Sequence, residues 1–379
     1  VRKSRKLVRR ARRANPAATV IVSGCYGSLD PQRAAAELGA DVLVPNPDKD
    51  RLVEIVSRRL DLPALPVPLG EPAEAMLFAR GRQRAFVKVQ DGCRHRCTFC
   101  VATLARGDER SRPIGEVVAE VLALHAAGVQ EVVLTGVHLG GYGSDRGSDL
   151  RALIAAVLAD TELPRVRLGS LEPWGLPAGF WGLFADGRLM PHLHLPLQSG
   201  ADRVLRRMAR RCRTADFRAL AREARSAVPD INLTTDVIIG FPGETEADWQ
   251  ATLDFVAEVA FGHVHAFGFS PRPGTKAATL PGPVDDPTRQ RRSRELQDLA
   301  QRLKRQALEA LVGRRCPVLV EGERGTPTGQ GLRWEGYTPG YHRVAIDALA
   351  DADLANRIVD VRIDAVGADG GHLVASLGG

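Results

Sequence analysis

The run DGCRHRCTFC, residues 91–100, sets Cys93, Cys97 and Cys100 in a C-x3-C-x2-C array. Three thiolates in one short loop can hold three corners of a cubane [4Fe–4S] cluster and leave the fourth iron open. An open iron can take a small molecule through amino and carboxyl groups, which S-adenosylmethionine offers. Structural zinc usually wants four ligands in two C-x2-C-like pairs. Cys212 or Cys316 would have to supply the fourth, so zinc stays open on the motif alone.

Outward from this loop the chain alternates strands and helices. AFVKVQDG reads as the strand that delivers the cysteines, and RPIGEVVAEVLALHAAG as the helix behind it, stopping at Gly128. EVVLTGV, RVRLGSLEP, HLHLPLQ, INLTTDVIIGFPG and HVHAFGFS read as five further strands. Helices are expected around DLRALIAAVLAD, ADRVLRRMA, TADFRALAREARSA and ADWQATLDFVAEV. Six β/α units are too few for a closed eight-unit barrel and suit an open, partial (β/α)6 one. In such barrels the chemistry belongs on loops at the C-terminal ends of strands. The cysteine loop, TGVHLGGYG, SLEP, LQSG and GFPGET all fall there.

Before this core, residues 1–14 read as a basic helix, ATVIVSG as a strand, DPQRAAAEL as a helix capped by Asp30, and ADVLVPN as a second strand. DLPALPVPLGEP reads as a proline-rich linker. After a long charged helix (about 285–312), short β-rich runs with Gly turns suggest a small antiparallel barrel. The expected fold is α/β, in three domains: 1–65, 79–311 and 312–379.

At 379 residues and 44% hydrophobic, the chain has material for several folded domains. No run of apolar residues is long enough to span a membrane, and a cytoplasmic protein is expected. Six cysteines over this length are too few for a disulfide scaffold. Lys and Arg number 52 against 45 Asp and Glu, a net charge of +7. Much of the excess lies in VRKSRKLVRRARR, with a second clump at Arg206, Arg207, Arg210, Arg211 and Arg213. Such runs are either solvated faces or contacts to a polyanion such as nucleic acid.

Individual loop residues carry weaker signals. Gly136 and Gly240 stand where backbone could approach a cofactor, although turn geometry or helix capping alone would explain them. Glu172 and Gln198 end strands and could bind polar groups of a nucleoside or of the S-adenosylmethionine ribose. Phe99 immediately precedes the last cysteine of the trio. His192 and His194 share one face of a strand, more often a structural arrangement than a metal site. Cys25 is expected in a small-residue turn at the tip of the first strand. No residue is singled out as an acid or base.

DGCRHRCTFC, ARGDERSRP, VVLTGVHLGGYG, RLGSLEP, HLHLPLQSG, DVIIGFPGET and FGFSPRPGTKAA, in that order, resemble the methylthiotransferase branch of the radical-SAM enzymes. GYTPGYHRV resembles the TRAM module, an RNA-binding barrel. VRKSRKLVRRARRANPAATVIVSGCYG is similar to the N-terminal domain of members acting on N6-threonylcarbamoyladenosine in tRNA. The resemblance implies a cluster on Cys93, Cys97 and Cys100 that binds S-adenosylmethionine, with Phe99, Gly136, Glu172, Gln198 and Gly240 around the cofactor. It also implies reductive cleavage to a 5′-deoxyadenosyl radical, hydrogen abstraction at C-2 of the modified adenine, sulfur insertion, and methyl transfer from a second S-adenosylmethionine. The expected partners are the tRNA anticodon stem-loop and a flavodoxin- or ferredoxin-like electron donor, with no membrane and a monomeric chain.

The family's N-terminal domain holds an auxiliary [4Fe–4S] cluster on three cysteines, two of them upstream of the KSR segment. This chain opens at Val1, just before that segment, so Cys25 matches the third alone. A shortened chain or a misplaced start is the economical expectation, and a lineage without the auxiliary cluster the other. Isopentenyladenosine in tRNA and a ribosomal-protein aspartate are alternative substrates. An RNA-binding protein with a structural cluster is the alternative outside enzymes.

Overall fold

In a computed structural model the described residues are 2–61, 83–329 and 331–378, so all of the expected linker except Asp61 lies outside them. They form two compact bodies. The first combines residues 2–61 with 91–96 and 100–109, and the second takes 83–90, 97–99 and the described residues from 110 onward.

The first body is small. Helix α1 (Arg2–Ala14) precedes strand β1 (Ile21–Ser23), short helix α2 (Cys25–Leu29), helix α3 (Pro31–Leu38), strand β2 (Val42–Val44) and helix α4 (Leu52–Arg59). The one-turn helix α5 (Ala102–Arg106) belongs to the same body. Asp30 caps α3 by accepting from the Arg33 amide, as its place before Pro31 leads one to expect. β1 and β2 pair in parallel over three residues each, and Val20, Ala34, Leu38, Val44 and Ala105 are buried apolar side chains of this body. α1 is tied down by ion pairs from Arg5 to Glu37 (2.6 Å) and from Arg12 to Asp41 (3.0 Å). One expectation changes here: Cys25 opens the helix α2 rather than lying in a turn, because the chain after Gly24 (φ 113°) enters a helical turn at once.

The second body opens with β3 (Arg84–Asp91), followed by β4 (Arg110–Ser111), α6 (Ile114–Ala126), β5 (Glu131–Gly136), α7 (Leu150–Asp160), β6 (Arg165–Leu168) and β7 (His192–His194). Then come α8 (Asp202–Arg207), α9 (Thr214–Ala227), β8 (Asn232–Ile239), α10 (Glu246–Val259), β9 (His263–Gly268) and the long α11 (Asp286–Glu309). Strands β3, β5 and β6 pair in parallel, as do β7, β8 and β9. Two isolated parallel bridges, Val166 to Leu189 and Ser170 to His194, join the sets. Six strands in chain order thus make the partial barrel that the spacing predicts. Outward-facing Val132, Leu134, Val166 and Leu193 pack with Val121, Ile154, Phe217 and Trp249 of the surrounding helices in one continuous core. Each such Leu or Val contributes about 1.5–3 kcal/mol by leaving water.

The chain ends in a closed five-stranded barrel of β10 (Arg315–Thr328), β11 (Gly331–Tyr337), β12 (Arg343–Ala348), β13 (Ile358–Val366) and β14 (Leu373–Leu377). Its neighbours pair antiparallel, as expected, with the barrel closed by one parallel pairing, β12 with β14. α11 serves both cores: Leu296 and Leu303 bury against the partial barrel and Leu308 enters the small one. Arg165 donates to the carbonyls of Tyr337 (3.1 Å) and Pro317 (2.9 Å), and Arg167 to that of Pro339 (3.0 Å). These buried arginines at the start of β6 hold the small barrel across the N-terminal ends of the partial-barrel strands.

Candidate cofactor and substrate site

The cysteine loop begins where β3 ends. Gly92 has φ 76°, and a Cβ there would fall 1.8 Å from the Asp108 carbonyl oxygen, so only glycine fits before Cys93. In the first body, the His95 amide lies 3.4 Å from Cys93 Sγ and the Ala102 amide 3.4 Å from Cys100 Sγ. Backbone N–H groups aimed at sulfur disperse thiolate charge and tune a cluster's potential. Arg94 pairs with the buried Glu109 at 2.7 Å in the same body.

Cys97, Thr98 and Phe99 belong to the second body. The Thr98 amide donates to the Met208 carbonyl, and its hydroxyl to that of Arg207 at 2.9 Å. Phe99 packs against Ala201, Val204, Met208 and Phe241. Arg210 Nη1 stands 4.0 Å from Cys97 Sγ, and its guanidinium lies 2.7 Å from Glu172 and 4.4 Å above the Trp174 ring. Burial works against this guanidinium's charge, but Glu172 and Cys97 outweigh it and raise its pKa. Arg210 is therefore no part of a solvated face, unlike exposed Arg206 and Arg211.

The remaining expected residues sit within the second body. Gly136 ends β5, where a Cβ would fall 2.9 Å from Gln90 Oε1, the acceptor for the His138 amide. Gln198 is buried with φ 75°, its amide donating to the Asp236 carbonyl and its own carbonyl accepting from Ile238. That left-handed backbone turns the side chain out of the strand register. Gly240 has φ 73°, and its amide donates to Glu244 Oε2 at 2.8 Å. Glu244, paired with buried Arg292, is pushed up to about 7 by burial. Thr245 caps α10 in a reciprocal pair with Asp248.

Cys25 accepts from Asn46 Nδ2 at 3.4 Å, and that amide also reaches the Ala105 carbonyl at 2.9 Å. Arg106, paired with Asp91 at 2.9 Å, adds a positive group toward Cys25. The thiols that might have completed a zinc site are poorly prepared for it. Burial pushes Cys212 up to about 12 and also raises Cys316, so both stay protonated, inside the core and a barrel strand respectively.

Inside the partial barrel lies a cavity of about 620 Å³ that sequence reasoning did not anticipate. His192, His194, His263, His265 and His342 line it, five of the nine histidines in the chain. The Thr234 hydroxyl bonds His192 Nε2 (3.1 Å) and His194 Nδ1 (3.0 Å), while His194 Nε2 stands 3.2 Å from Asp236. Buried His192 Nδ1 has no hydrogen-bond partner. Burial depresses His192, and it pushes His263 and His342 down to about 4 with help from Lys304. The clue in the sequence was the pair HLH and HVH, each with period two on a strand.

Residues 87–256 match the family model described as the Radical SAM superfamily. Threonylcarbamoyladenosine tRNA methylthiotransferase MtaB of Thermotoga maritima is 36% identical over 327 residues, 84% of this chain and 75% of that protein. Its Bacillus subtilis namesake is 31% identical over 96% of this chain and 82% of its own length. The tRNA-2-methylthio-N(6)-dimethylallyladenosine synthase of Sorangium cellulosum is 36% identical over 91% of this chain and 76% of its own length. The chain belongs to the radical-SAM methylthiotransferases. Among solved structures, the radical S-adenosylmethionine methyltransferase TsrM from Kitasatospora setae aligns with a TM-score of 0.57 at 18% identity. It covers 72% of this chain and 59% of TsrM, a likeness of fold.

A [4Fe–4S] cluster and S-adenosylmethionine are the cofactors of these methylthiotransferases, and the residues present suit them. Three free thiols stand at the required spacing, with N–H donors toward two of them. Beside the third, Glu172 Oε2 and Arg210 Nε are buried without an aligned hydrogen bond, although the ion pair itself is close. Buried polar atoms with unused capacity suit a polar, zwitterionic ligand.

Proposed function

We propose that this chain places sulfur and a methyl group on C-2 of N6-threonylcarbamoyladenosine next to the anticodon of tRNA. The observation that carries this reading is the match to the threonylcarbamoyladenosine enzymes, reaching 96% of the chain and so taking in both bodies. Cys93, Cys97 and Cys100 hold the cluster, with Phe99, Gly136, Glu172, Gln198 and Gly240 shaping the cofactor's surroundings. The bound cofactors supply a carbon-centred radical able to take hydrogen from an unactivated aromatic carbon, which acid–base groups cannot do. Arg210 keeps a permanent positive charge beside Cys97 and orients Glu172. Asn46 and Arg106 prepare Cys25 as one ligand of an auxiliary cluster. A flavodoxin- or ferredoxin-like donor supplies the electron. An anticodon-loop adenosine is single-stranded, so it can be splayed out at little cost in pairing. Exposed basic residues of α1 and the C-terminal barrel grip the loop and stem of the RNA.

The dimethylallyl reading is supported by relatives of that branch, one of them equal to the first threonylcarbamoyl enzyme in identity, at 36%. The test that separates them uses the anaerobically reconstituted chain with S-adenosylmethionine, reductant, sulfide and anticodon stem-loop RNA carrying either modified adenosine. Mass spectrometry of the digested nucleosides is expected to show a 2-methylthio product from the threonylcarbamoyl RNA. Product from the dimethylallyl RNA alone transfers the chain to the other branch. S-adenosylmethionine that survives reductant without yielding 5′-deoxyadenosine points to a structural cluster.

A further inference from the structure

The cavity of the partial barrel has a chemistry that the cofactors do not explain. Its volume, about 620 Å³, is that of a small-molecule site rather than a packing defect. Two large aromatic side chains in its lining stay open to solvent, Phe86 on β3 (46% exposed) and Phe267 on β9 (53% exposed). Partly exposed aromatic side chains can serve a nucleic-acid enzyme as stacking surfaces for a base. At the side lined by α11 and the small barrel the cavity becomes cationic, with Lys304 and Arg343.

The charges there decide what kind of group it accepts. Arg167 is matched by Glu131 at 2.8 Å, and Arg343 by Glu335. Asp236, the one carboxylate in the lining, is engaged with His194 Nε2. Lys304, half-buried on α11, makes no ion pair within 4 Å among the described residues, and the charge of Asp369 offsets its own only in part, since burial and Arg343 keep its pKa lowered. The next contributors after burial to the low pKa of His342 are both cations, Lys304 and Arg167, so the local potential is positive. His194, Asp236 and His265 present ligand atoms within 4.8 Å of one another, which invites a cation instead. A metal ion there would sit in that positive potential, and both nitrogens of His194 already have partners. An anion is favoured.

We propose that this cavity receives the N6 substituent of the substrate adenosine, with Lys304 binding its carboxylate and Phe86 and Phe267 flanking the purine. The assignment rests on the threonylcarbamoyladenosine reading and supplies its basis for selectivity. A threonylcarbamoyl group ends in a carboxylate, whereas a dimethylallyl group offers Lys304 no counter-charge inside the cavity. His192 Nδ1, buried and unpartnered, stands ready for the polar ureido or hydroxyl portion of the same substituent.

The test is equilibrium binding of the full reconstituted chain to anticodon stem-loop RNA carrying threonylcarbamoyladenosine, its carboxyl methyl ester, or dimethylallyladenosine. Binding of the acid is expected to exceed that of the ester by about tenfold or more, the scale of one charge-assisted hydrogen bond. Lys304→Gln should abolish that difference by weakening the acid alone, and Lys304→Arg should restore it. Lys304 is half-buried on a helix surface, so the change is compatible with folding, which circular dichroism checks. Equal affinity of acid and ester in the parent chain, or equal losses for both in Lys304→Gln, overturns the subsite. Failure of the functional reading looks different: methylthiolation of the dimethylallyl RNA, read by mass spectrometry.

Discussion

The Arg210 guanidinium lies 2.7 Å from the Glu172 carboxylate. The same guanidinium approaches Cys97 Sγ to 4.0 Å and covers the Trp174 ring, so one side chain couples a strand-end acid to the cysteine loop. Unit charges at about 4 Å share about 4 kcal/mol where the effective dielectric is near 20. A fraction of that suffices to shift a redox potential measurably. Arg210→Gln should lower the midpoint potential of the Cys93/Cys97/Cys100 cluster, because the reduced, more negative state loses a neighbouring cation. EPR-monitored titration reads the potential. An unchanged potential, with unchanged affinity for S-adenosylmethionine, rules out the electrostatic role.

Glu131 is the hub of a second buried charge group. It faces Arg167 at 2.8 Å, Arg165 at 3.8 Å and Arg84 at 3.9 Å, and those arginines bind the small barrel. Glu131→Ala leaves buried guanidinium charge without its counter-charge, a loss of about 3–5 kcal/mol. Urea denaturation should show that loss. A midpoint close to that of the parent chain would mean that water or rearranged carbonyls neutralise the arginines.

This network also explains what was legible in the sequence and what was not. The alternation of strands and helices from β3 to β9 could be read because outward-facing residues such as Val132, Leu134, Val166 and Leu193 follow simple periodicities. The inward faces could not. RVRL reads as a strand, yet both of its arginines are buried, and the carbonyls they bond lie about 150 residues or more downstream, at Pro317, Tyr337 and Pro339. No local pattern announces a partner at that distance. The five-histidine cavity was hidden for the same reason, since its lining comes from strands, α11 and the small barrel together. Cys25 was placed correctly along the chain and wrongly in conformation, because a five-residue helix leaves little signal. Deletion from residue 312 onward, the simple sequence-based test of RNA binding, would uncover Arg165 and Arg167, so it would confound binding with folding.

The cavity histidines give stability a definite pH dependence. His342 is pushed down to about 4, so the folded chain keeps it neutral while the unfolded chain takes up a proton below about pH 6.5. Stability from this group is full above that value and is lost as pH falls toward 4, by at most about 1.4 kcal/mol per pH unit. Glu244, raised to about 7, has the opposite sign: its contribution falls as pH rises from about 4.5 to 7. The two slopes overlap, so the informative quantity is a difference between chains. His342→Asn should flatten the acid-side loss relative to the parent chain in urea titrations at pH 7.5, 6, 5 and 4.5. Parallel pH profiles for the two chains would show that His342 titrates normally.

The basic helix α1 divides into two kinds of residue. Arg5 and Arg12 are held by Glu37 and Asp41, whereas Lys6, Arg9, Arg10 and Arg13 are exposed. Among the described side chains of α1, the second set has free reach toward phosphates. Each phosphate neutralised contributes about 0.7–0.9 to the slope of log affinity against log salt. Replacing these four exposed residues by Gln should therefore reduce the salt slope of anticodon stem-loop binding by up to about 3.6. Binding should weaken most at low salt, and the α1 ion pairs, untouched by the changes, should keep the helix in place. A salt slope that stays at the parent value would remove α1 from the RNA-binding surface and leave the C-terminal barrel to carry the phosphate contacts.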